Sequence, residues 1–440
     1  MNHAVVRMFV ILLTTLVMFT SCSDFKSETH IVNWHGDKAA AISITYDDAS
    51  INQFRQALPI MNELGLKGTF FINTVNIPES QFPPKFIGRS LAEIIEETAR
   101  IPTSEDNLFE RASAMRFLDI ENAVELHNNA GSLFETGKIS ESIASVDEAF
   151  AAARKKKAMH ERKRNLPSGD VITWDEIREF AAQGHEFGNH TISHPRLAVL
   201  DEPNLLYEIE KGKEEILNQL GADHTFSAEC PFGTENERVM EYAYKIHPAL
   251  RNRMPEKFLE EINRWNDMTP AASKKPYVQW QRGPLQKTSL ELMKSWVDTL
   301  LVHDNVWLAL TFHGVDGVGW EAKPHQELQE YFSYMKQHEQ QLWIAPFRDV
   351  TKYMRQKMNA SINSVDRDGK IILSLKHTLD PGLYNFPLTL KTRVNQNWKS
   401  VMIKQGAKTI TLQTSSDTEG AFVLYEALPN SDDIEISQTK

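Results

Sequence analysis

Short apolar runs alternate along much of the chain with longer stretches of helical period. Residues 39–46 and 305–313 are largely apolar, and residues 67–73 contain the apolar run 70–72, as is typical of strands that are buried on both faces of a sheet. Between the first two runs, residues 51–64 carry apolar side chains at helical spacing and end at Gly65. Strands that alternate with helices predict an α/β fold with a parallel sheet, arranged here as a (β/α) barrel.

The alternation is interrupted once and then resumes. Further strands are predicted at 184–189, 224–228 and 342–346, and further helices at 174–183, 203–220, 235–247, 289–301, 326–340 and 351–358. The interruption, at about residues 79–168, is rich in Glu, Lys, Arg and Ala and predicts helices at 106–126 and 139–160. We interpret it as a helical insertion in a barrel that spans residues 35–358.

Past residue 360 the helical period stops. Short alternating segments at 370–376, 387–393, 400–404, 409–414 and 420–424 are separated by turn residues. This pattern predicts a small all-β, sandwich-like module over residues 360–440.

The N-terminus has the layout of an export signal. Arg7 precedes an apolar run at residues 8–19, which is too short for a comfortable membrane span and is followed by small residues and Cys22. Cys22 resembles the lipid-modified cysteine of bacterial lipoproteins, so residues 1–22 are predicted to be a signal peptide with this cysteine, and residues 23–34 a tether. We expect an exported protein, lipid-anchored to a bacterial outer membrane; a periplasmic or secreted protein is the alternative.

Composition narrows the range of partners. The chain has 440 residues, 41% of them hydrophobic, and a formal net charge of -11. Such a chain can build a sizeable core, and its negative charge argues against a nucleic-acid partner, which favours a basic surface. The chain has 2 cysteines, so Cys230 has no disulfide partner if Cys22 carries lipid.

Two adjacent carboxylates, Asp47 and Asp48, follow the first buried strand. Carboxylates are costly to bury unless they are paired, hydrogen-bonded or bound to a metal. One of the two could hold a metal while the other takes a proton from a water molecule. The alternative is that one of them caps the helix predicted at 51–64.

Histidines follow two other predicted strands. His190 and His194 are four residues apart, so both imidazoles can reach one ion, and with Asp48 or Asp47 they would leave positions open for water and substrate. His313 should lie on the same rim, because the carboxyl ends of parallel strands meet there, and it could protonate a departing group. The alternatives are a surface pair at 190 and 194 and a hydrogen-bonded core histidine at 313.

These motifs resemble those of the polysaccharide deacetylase family, carbohydrate esterase family 4, also described as the chitooligosaccharide deacetylase homology domain. They are TYDDA at 45–49, HTISH at 190–194 and LTFHG at 310–314, and the resemblance covers about residues 35–78 and 168–358. It implies a distorted (β/α) barrel with an open seam. It also implies a divalent metal on an Asp-His-His triad, most often Zn²⁺, with Co²⁺ or Ni²⁺ as alternatives.

The resemblance also assigns roles to single residues. Asp47 matches the catalytic base and His313 the catalytic acid. The metal ligands match Asp48, His190 and His194.

The CPFG motif at 230–233 matches the wall of the substrate groove in the same family. Pro231 and Phe232 would form that wall, with the Phe232 N–H on the oxyanion, and Trp280 would flank the acid. The family usually has an arginine two residues before this proline, paired with the base, where this chain has Glu229. Either Glu229 points away or another arginine replaces the missing one; the candidates are Arg251, Arg253 and Arg282.

The resemblance implies a metal-dependent hydrolase that removes acetyl groups, as N-acetyl amides or O-acetyl esters, from an acetylated polysaccharide. The alternative is a glycan-binding lipoprotein with an inactive barrel, which Glu229 and the insertion motivate. Membrane contact is expected only through the lipid anchor, and the oligomeric state stays open.

Overall fold

The computed structural model describes residues 27–156 and 169–439. Its strands are β1 Thr29–Ile31, β2 Ala40–Asp47, β3 Gly68–Ile72, β4 Glu186–Asn189, β5 Ser227–Ala228, β6 Ala249–Leu250, β7 Leu259–Ile262, β8 Tyr277–Arg282, β9 Val306–Phe312, β10 Leu342–Ile344, β11 Ala360–Arg367, β12 Lys370–His377, β13 Leu388–Arg393, β14 Ser400–Gln405, β15 Lys408–Gln413, β16 Ser415–Asp417, β17 Gly420–Ala427 and β18 Ile434–Gln438. The predicted signal peptide and Cys22 lie outside the described residues.

The helices are α1 Leu58–Glu63, α2 Leu91–Glu97, α3 Leu108–Met115, α4 Ala123–Glu135, α5 Ile139–Lys156, α6 Trp174–Ala182, α7 Glu202–Leu220, α8 Glu237–Ile246, α9 Leu290–Leu300, α10 His325–Gln337 and α11 Phe347–Asn359. A short π-helical turn, Gln53–Ala57, precedes α1. None of the helices described is both long enough and apolar enough to span a bilayer.

A parallel sheet forms the centre of the fold. Its strand order is β6-β5-β4-β3-β2-β9-β8-β7, and β10 pairs with the first half of β2. All neighbouring strands in it are parallel, and β6 and β7 form its two edges. The sheet is therefore an open, distorted (β/α) barrel, and the α/β fold class expected from the apolar pattern is confirmed.

Aromatic rings fix the alignment of the central strands. Tyr46 on β2 stacks with Phe70 on β3 at 5.4 Å and with Phe312 on β9 at 5.2 Å, and Phe70 stacks with Phe187 on β4 at 5.5 Å between ring centroids. All four side chains are buried. Such cross-strand contacts stabilise one register, and this register brings the carboxyl ends of the four strands level with one another.

Helix α11 covers the opposite, amino-terminal end of the barrel. The N–H of Phe347 donates to Oγ1 of Thr69 at 2.8 Å, and the N–H of Arg348 donates to Glu186 at 2.9 Å. Glu186 also accepts a hydrogen bond from Thr69. These contacts leave the rim at the carboxyl ends of the strands free of α11.

The insertion has a hydrophobic core of its own. Buried side chains of α2, α3, α4 and α5 pack together, and Val199 of the barrel joins them. The single helix predicted at 106–126 is wrong, since α3 ends at Met115 and α4 begins at Ala123. Phe117, Leu118 and Ile120 in the connection are buried, so the apolar pattern there reflects a packed loop and not a continuous helix.

Two antiparallel sheets make up the C-terminal module. The first has the order β1-β13-β17-β16 and the second the order β11-β12-β18-β14-β15. Apolar residues from both sheets share one buried cluster, as in a β-sandwich.

The stretch predicted as a tether at 23–34 contributes to this module from Ser27 onward. Residues 29–31 form β1, which pairs with β13, and Ser27 donates from its N–H to Asp366 on β11 at 2.9 Å. Ser27 is only 7% exposed. This part of the predicted tether is therefore folded into the module.

Candidate active site

Polar and charged side chains follow directly after strands of the central sheet. They are Asp48 after β2, His190 after β4, Glu229 after β5, Arg251 after β6 and His313 after β9. Because these strands are parallel, their carboxyl ends form one rim. A short loop after each strand is therefore enough to direct all of these side chains to the same place.

Asp48, His190 and His194 form a compact cluster on this rim. The Nε2 atoms of His190 and His194 lie 3.5 and 3.2 Å from Oδ1 of Asp48, and the three candidate ligand atoms lie within 4.8 Å of one another. The Nδ1–H of His190 donates to the carbonyl of Glu229 at 2.7 Å, which leaves its Nε2 free to act as a ligand. Two imidazoles and one carboxylate are a donor set that suits Zn²⁺ and related divalent metals.

The three candidate ligands differ in protonation. Burial lowers the pKa of His190, but the hydrogen bond of Asp48 and the charges of Asp47 and Asp48 raise it above its ordinary value, so a metal would have to displace a proton there. Burial and the neighbouring His190 lower the pKa of His194 to about 4, so its imidazole is neutral near pH 7, the form that binds metals. Burial alone would raise the pKa of Asp48, but the hydrogen bond and charge of His190 lower it below its ordinary value. The cluster therefore holds an ionised carboxylate beside a neutral imidazole.

The backbone is strained at several residues of the site. The φ angles of Asp48, His194 and Phe232 are 76°, 56° and 64°, in the left-handed region that residues with a side chain seldom adopt. Such conformations persist where the surrounding structure enforces them, and they are concentrated at functional sites. Here they turn the side chains of Asp48 and His194 toward each other.

Asp47 is held by Arg251. The Nη1 and Nη2 groups of Arg251 donate to the two carboxylate oxygens of Asp47 at 2.9 and 2.6 Å, and Nη2 also lies 2.9 Å from Oε1 of Glu229. All three residues are buried. Arg251, one of the three candidate replacements, thus occupies the place of the arginine that is missing at position 229, and Glu229 does not point away.

The pKa values of Asp47 and Glu229 are shifted in opposite directions. Burial raises the pKa of Asp47, but the charges of Arg251, His313 and His190 lower it by more, so its pKa is well below the ordinary value. Burial raises the pKa of Glu229 above its ordinary value, with Asp47 adding to the increase and Arg251 opposing it. Asp47 is therefore ionised despite its burial. The repulsion between the two carboxylates is seen instead in the raised pKa of Glu229.

His313 lies beside Asp47 on the far side of the cluster. Its Nε2 is 3.5 Å from Oδ2 of Asp47. The buried amide of Gln53 donates to the backbone carbonyls of both Asp47 and His313, the latter at 2.8 Å. Gln53 thus fixes the distance between the two loops, a role that no motif in the sequence had indicated.

The indole that flanks His313 belongs to Trp320. The two rings have centroids 4.6 Å apart in an edge-to-face arrangement, and Trp320 is 48% exposed. The prediction of Trp280 at this place is wrong. Trp280 lies on β8, is buried in the barrel core and has Arg282 over its ring.

Phe232 lies against the cluster of Asp48, His190 and His194. Its ring is 4.5 Å from the ring of His194, and the guanidinium of Arg196 covers it at 4.0 Å. Pro231 is buried beneath it. Phe232 therefore forms a wall next to His194, where the sequence had put it together with Pro231.

The insertion contacts the loop that carries His194. Arg116 donates to the carbonyl of Ser193 at 3.0 Å, and the N–H of Arg196 donates to Nε2 of His127 at 3.2 Å. Arg116 and His127 are both buried. The residues on either side of the His194–Pro195 pair are therefore fixed by the insertion.

Glu135 at the end of α4 joins this loop to the Phe232 loop. Its Oε2 lies 2.6 Å from Arg196, and its Oε1 accepts a hydrogen bond from Thr234 at 2.7 Å. A Cβ at Gly131, one turn earlier, would lie 2.5 Å from Cβ of Arg196, so the helix approaches the loop as closely as glycine allows. The insertion is thus built into the wall of the site.

The capping alternative for the aspartate pair is not observed. The residue before the helical turn is Asn52, and no side chain caps that turn. Asp47 and Asp48 are instead engaged by Arg251 and by the two histidines. His313 is likewise not an isolated core histidine.

Residues 35–246 match the family model for polysaccharide deacetylases. This chain contains a polysaccharide deacetylase domain. The family resemblance seen in the motifs is therefore confirmed, and the deacetylase domain includes the aspartate pair, both histidines of the cluster and the Phe232 loop.

Among curated proteins, the chain is similar to a gellan lyase from a Bacillus species. They are 24% identical over 280 residues, which is 59% of this chain and 11% of the relative. The chain therefore spans about a tenth of the length of this relative, most of which has no counterpart here.

Solved structures also resemble the chain. One is a Mycobacterium smegmatis protein assigned as a polysaccharide deacetylase, with 12% identity over 75% of this chain and 94% of that protein, and a TM-score of 0.37. Another is a family 4 carbohydrate esterase from Bacillus subtilis, with 12% identity over 73% of this chain and 83% of that protein, and a TM-score of 0.33. Both scores are below 0.5, so the chemistry of the site is derived from this chain alone.

Proposed function

We propose that this chain is a metal-dependent hydrolase that removes acetyl groups from a polysaccharide. The observation that carries the proposal is the position of the Asp48, His190 and His194 cluster next to a second pair, Asp47 and His313, whose side chains are 3.5 Å apart. A three-ligand cluster leaves positions open for water and substrate. The adjacent acid and base provide the two proton transfers that a hydrolysis needs.

The residues of the cluster fit a divalent metal. Asp48, His190 and His194 would hold it, with Zn²⁺ the first choice for this donor set and Co²⁺ or Ni²⁺ as alternatives. When bound, the metal would act as a Lewis acid on the acetyl carbonyl and would lower the pKa of a water ligand.

Asp47 is suited to take a proton from the attacking water. The two hydrogen bonds from Arg251 keep its carboxylate ionised and fix its orientation. Each carboxylate oxygen retains a lone pair for the incoming proton. Gln53 holds the backbone of this residue, so the base does not need to reorganise during the reaction.

His313 is suited to protonate the departing group. Burial lowers its pKa, while Asp47 and Asp48 raise it, and the net pKa is below the ordinary value of histidine. A lowered pKa makes the imidazolium a stronger acid toward a departing amine or alcohol, but it leaves the ring mostly neutral near pH 7, so His313 has to acquire a proton before it donates one. Trp320 shields the ring on one side, and the Phe232 N–H would stabilise the oxyanion at the other wall.

Hydrolysis of an N-acetyl amide and of an O-acetyl ester pass through the same kind of oxyanion, so both stay within the proposal. The inactive, glycan-binding alternative was motivated by Glu229 and by the insertion. Because Arg251 pairs with both Glu229 and Asp47, Glu229 no longer favours it, and the insertion is the reason that is left.

The decisive experiment measures acetate release by the zinc-loaded protein from N-acetylated and O-acetylated polysaccharides. We expect release that stops when a chelator removes the metal and returns when Zn²⁺ is restored. The polymer that responds would distinguish the amide from the ester. Binding of glycans by the metal-loaded protein without any release of acetate would instead support the inactive alternative.

We also propose that the protein is exported and carries a lipid at Cys22, on the basis of residues 1–22. The export proposal rests on the signal layout alone.

We further propose that the helical insertion shapes one wall of the substrate groove. This proposal rests on the contacts of Arg116 and Glu135 with the loops of the site.

A further inference from the structure

An arginine without a counter-ion lies on the rim next to the proposed acid. Arg264 comes just after β7, and within the described part of the chain no residue forms a hydrogen bond or an ion pair with its guanidinium. The other two arginines nearby are engaged. Arg251 binds Asp47 and Glu229, and Arg282 donates to backbone carbonyls.

Burial makes the unpaired charge of Arg264 energetically unfavourable. Burial lowers the pKa of Arg264, Arg251 lowers it further, and Asp47 and Glu229 raise it only in part. Arginine nevertheless stays charged. A partly desolvated cation that lacks a partner is unfavourable, and an anion that contacted it would remove that penalty.

Glu235 does not supply a partner for Arg264. Both residues line a small recess at the surface, but Glu235 accepts a hydrogen bond from Asn263. Asp47 and Glu229 are both engaged by Arg251. The guanidinium of Arg264 is therefore available to a ligand.

Two exposed indoles lie close to this arginine. Its guanidinium carbon lies 4.9 Å from the ring centroid of Trp265 and 6.0 Å from that of Trp320. Trp265 is 65% exposed, and Trp320 is the residue that flanks His313. Exposed aromatic faces beside a reaction site suit the apolar faces of sugar rings, so these three residues continue the groove outward from the acid.

We propose that Arg264, next to Trp265 and Trp320, binds the carboxylate of an acidic sugar adjacent to the acetylated residue. The guanidinium fork matches a carboxylate in two parallel hydrogen bonds, and the indoles hold the ring that carries it. This inference rests on the proposed deacetylase function and adds the substrate class, an anionic glycan. The carboxylate can belong to the sugar ring, as in a uronic acid, or to an ether side chain, as in a lactyl-substituted sugar.

The first test compares an O-acetylated oligogalacturonide with its methyl ester, in which each carboxylate loses its charge and gains a methyl group. We expect the wild-type protein to favour the acid over the ester in kcat/KM. In Arg264→Gln the preference should fall by at least about tenfold, equivalent to about 1.4 kcal/mol, through KM more than kcat. Arg264→Lys should retain part of the preference, because it keeps the charge and loses the fork.

The matched control is Arg178→Gln, which removes the same charge from the exposed surface of α6 and should keep the wild-type preference. A parallel comparison with an N-acetylated oligosaccharide that carries a lactyl ether, as the acid and as its methyl ester, identifies the source of the carboxylate. If the wild type processes each acid and its ester equally, or if Arg264→Gln keeps the preference, the inference is wrong while the deacetylase proposal stands.

Binding provides a readout that does not need turnover. The deacetylated oligogalacturonide should bind the wild-type protein at least about tenfold more tightly than it binds Arg264→Gln, by titration calorimetry on folded protein. Such binding with no acetate release from any polymer would support the arginine subsite and reject the deacetylase function. Equal binding by both proteins would reject the subsite, whatever the activity.

Discussion

The guanidinium of Arg251 contacts both carboxylate oxygens of Asp47, at 2.9 and 2.6 Å. Arg251 follows β6, the strand next to β5, whereas position 229, the usual place of that arginine, follows β5. We expect Arg251→Gln to lose turnover and to lower the free energy of unfolding by about 3–5 kcal/mol, since it leaves two buried carboxylates without their cation. Arg251→Lys should be less destabilised but still slow, because an ammonium cannot hold both oxygens at once. Steady-state kinetics and denaturant unfolding measure the two effects.

A charge exchange provides the control for that prediction. In Glu229→Arg combined with Arg251→Glu the pair is reversed, so an arginine from β5 could again reach Asp47. The double variant should recover part of the activity that Arg251→Gln loses. Full turnover in Arg251→Gln alone would contradict the role given to Arg251.

Metal content and turnover should separate within the aspartate pair. Asp48→Ala and His190→Ala remove a ligand, so both should lose bound metal and activity together. Asp47→Asn keeps the three ligands and should retain the metal while kcat falls by about 10²–10⁴-fold, the range typical of a general base. Elemental analysis beside acetate release distinguishes the two classes, and an active Asp47→Asn protein would refute the base.

Glu135 should matter for both stability and the Phe232 wall. Glu135→Ala breaks the contacts to Arg196 and Thr234, and we expect the free energy of unfolding to fall by about 1–3 kcal/mol and KM to rise. Glu135→Gln can still accept the hydrogen bond of Thr234, so its loss should be smaller. Thermal melts and steady-state kinetics report the two changes.

The control for this prediction is Glu241→Gln, which removes a glutamate paired with Lys245 on the exposed surface of α8. Its effect should stay within about 0.5 kcal/mol. If Glu135→Ala behaved like this control, Glu135 would have no part in holding the Phe232 wall. Deletion of the whole insertion is a blunter test, because it would also remove the contacts of Arg116 and His127 next to His194.

The pH dependence of stability should show a buried neutral histidine. Burial and the charge of Lys213 lower the pKa of His247 to about 3, and its two ring nitrogens contact the carbonyl of Thr225 and the amide of Asn189. The unfolded chain takes up a proton below about pH 6.5 while the folded protein does not. Stability from this group is therefore complete above that pH and is lost as the pH falls toward 3.

Denaturant unfolding between pH 4 and 6.5 measures this loss. The slope of the free energy of unfolding against pH should decrease in His247→Gln by up to about 1.4 kcal/mol per pH unit, the value for one proton. Identical slopes in the two proteins would show that His247 does not titrate as the buried site requires.

The lipid anchor is tested by Cys22→Ser. We expect the wild-type protein in the membrane fraction with an increased mass and the variant in the soluble fraction of the exported proteins. Activity of the variant on a soluble oligosaccharide should be unchanged, since Cys22 is far from the site residues in the sequence. A variant that remains in the membrane fraction would show that another feature anchors the protein.

The sequence predicted the groups that follow long apolar strands. β2 and β9 are fully buried over eight and seven residues. Such long apolar runs are easy to recognise in a sequence, and the polar residues at their ends, Asp47, Asp48 and His313, were therefore identified as candidate site residues. The motif spacing added His190 and His194. Parallel strands put their ends on one rim, which made a common site foreseeable before any contact was known.

Residues on short strands and loops could not be found in this way. Arg251 follows β6, a strand of two residues, which has too little alternation to be recognised, and it stayed one of three candidates. Arg264 and Trp320 lie in turns without periodicity. Gln53 lies in the helical segment predicted at 51–64, where a buried polar residue does not stand out, and its contact with His313 spans a long sequence distance. Trp280 was assigned from the family resemblance alone, but it lies on β8, where side chains alternate in direction, and its indole faces the core.

The pairing of β1 with β13 of the sandwich would determine how a lipid-anchored protein is oriented relative to the membrane. Between Cys22 and Ser27 lie five peptide steps, which span at most about 18 Å. A lipid on Cys22 would therefore hold the sandwich close to the bilayer, at the end of the barrel that α11 covers. The rim with Asp47 and His313 would then face outward, directed at polymers beyond the membrane surface.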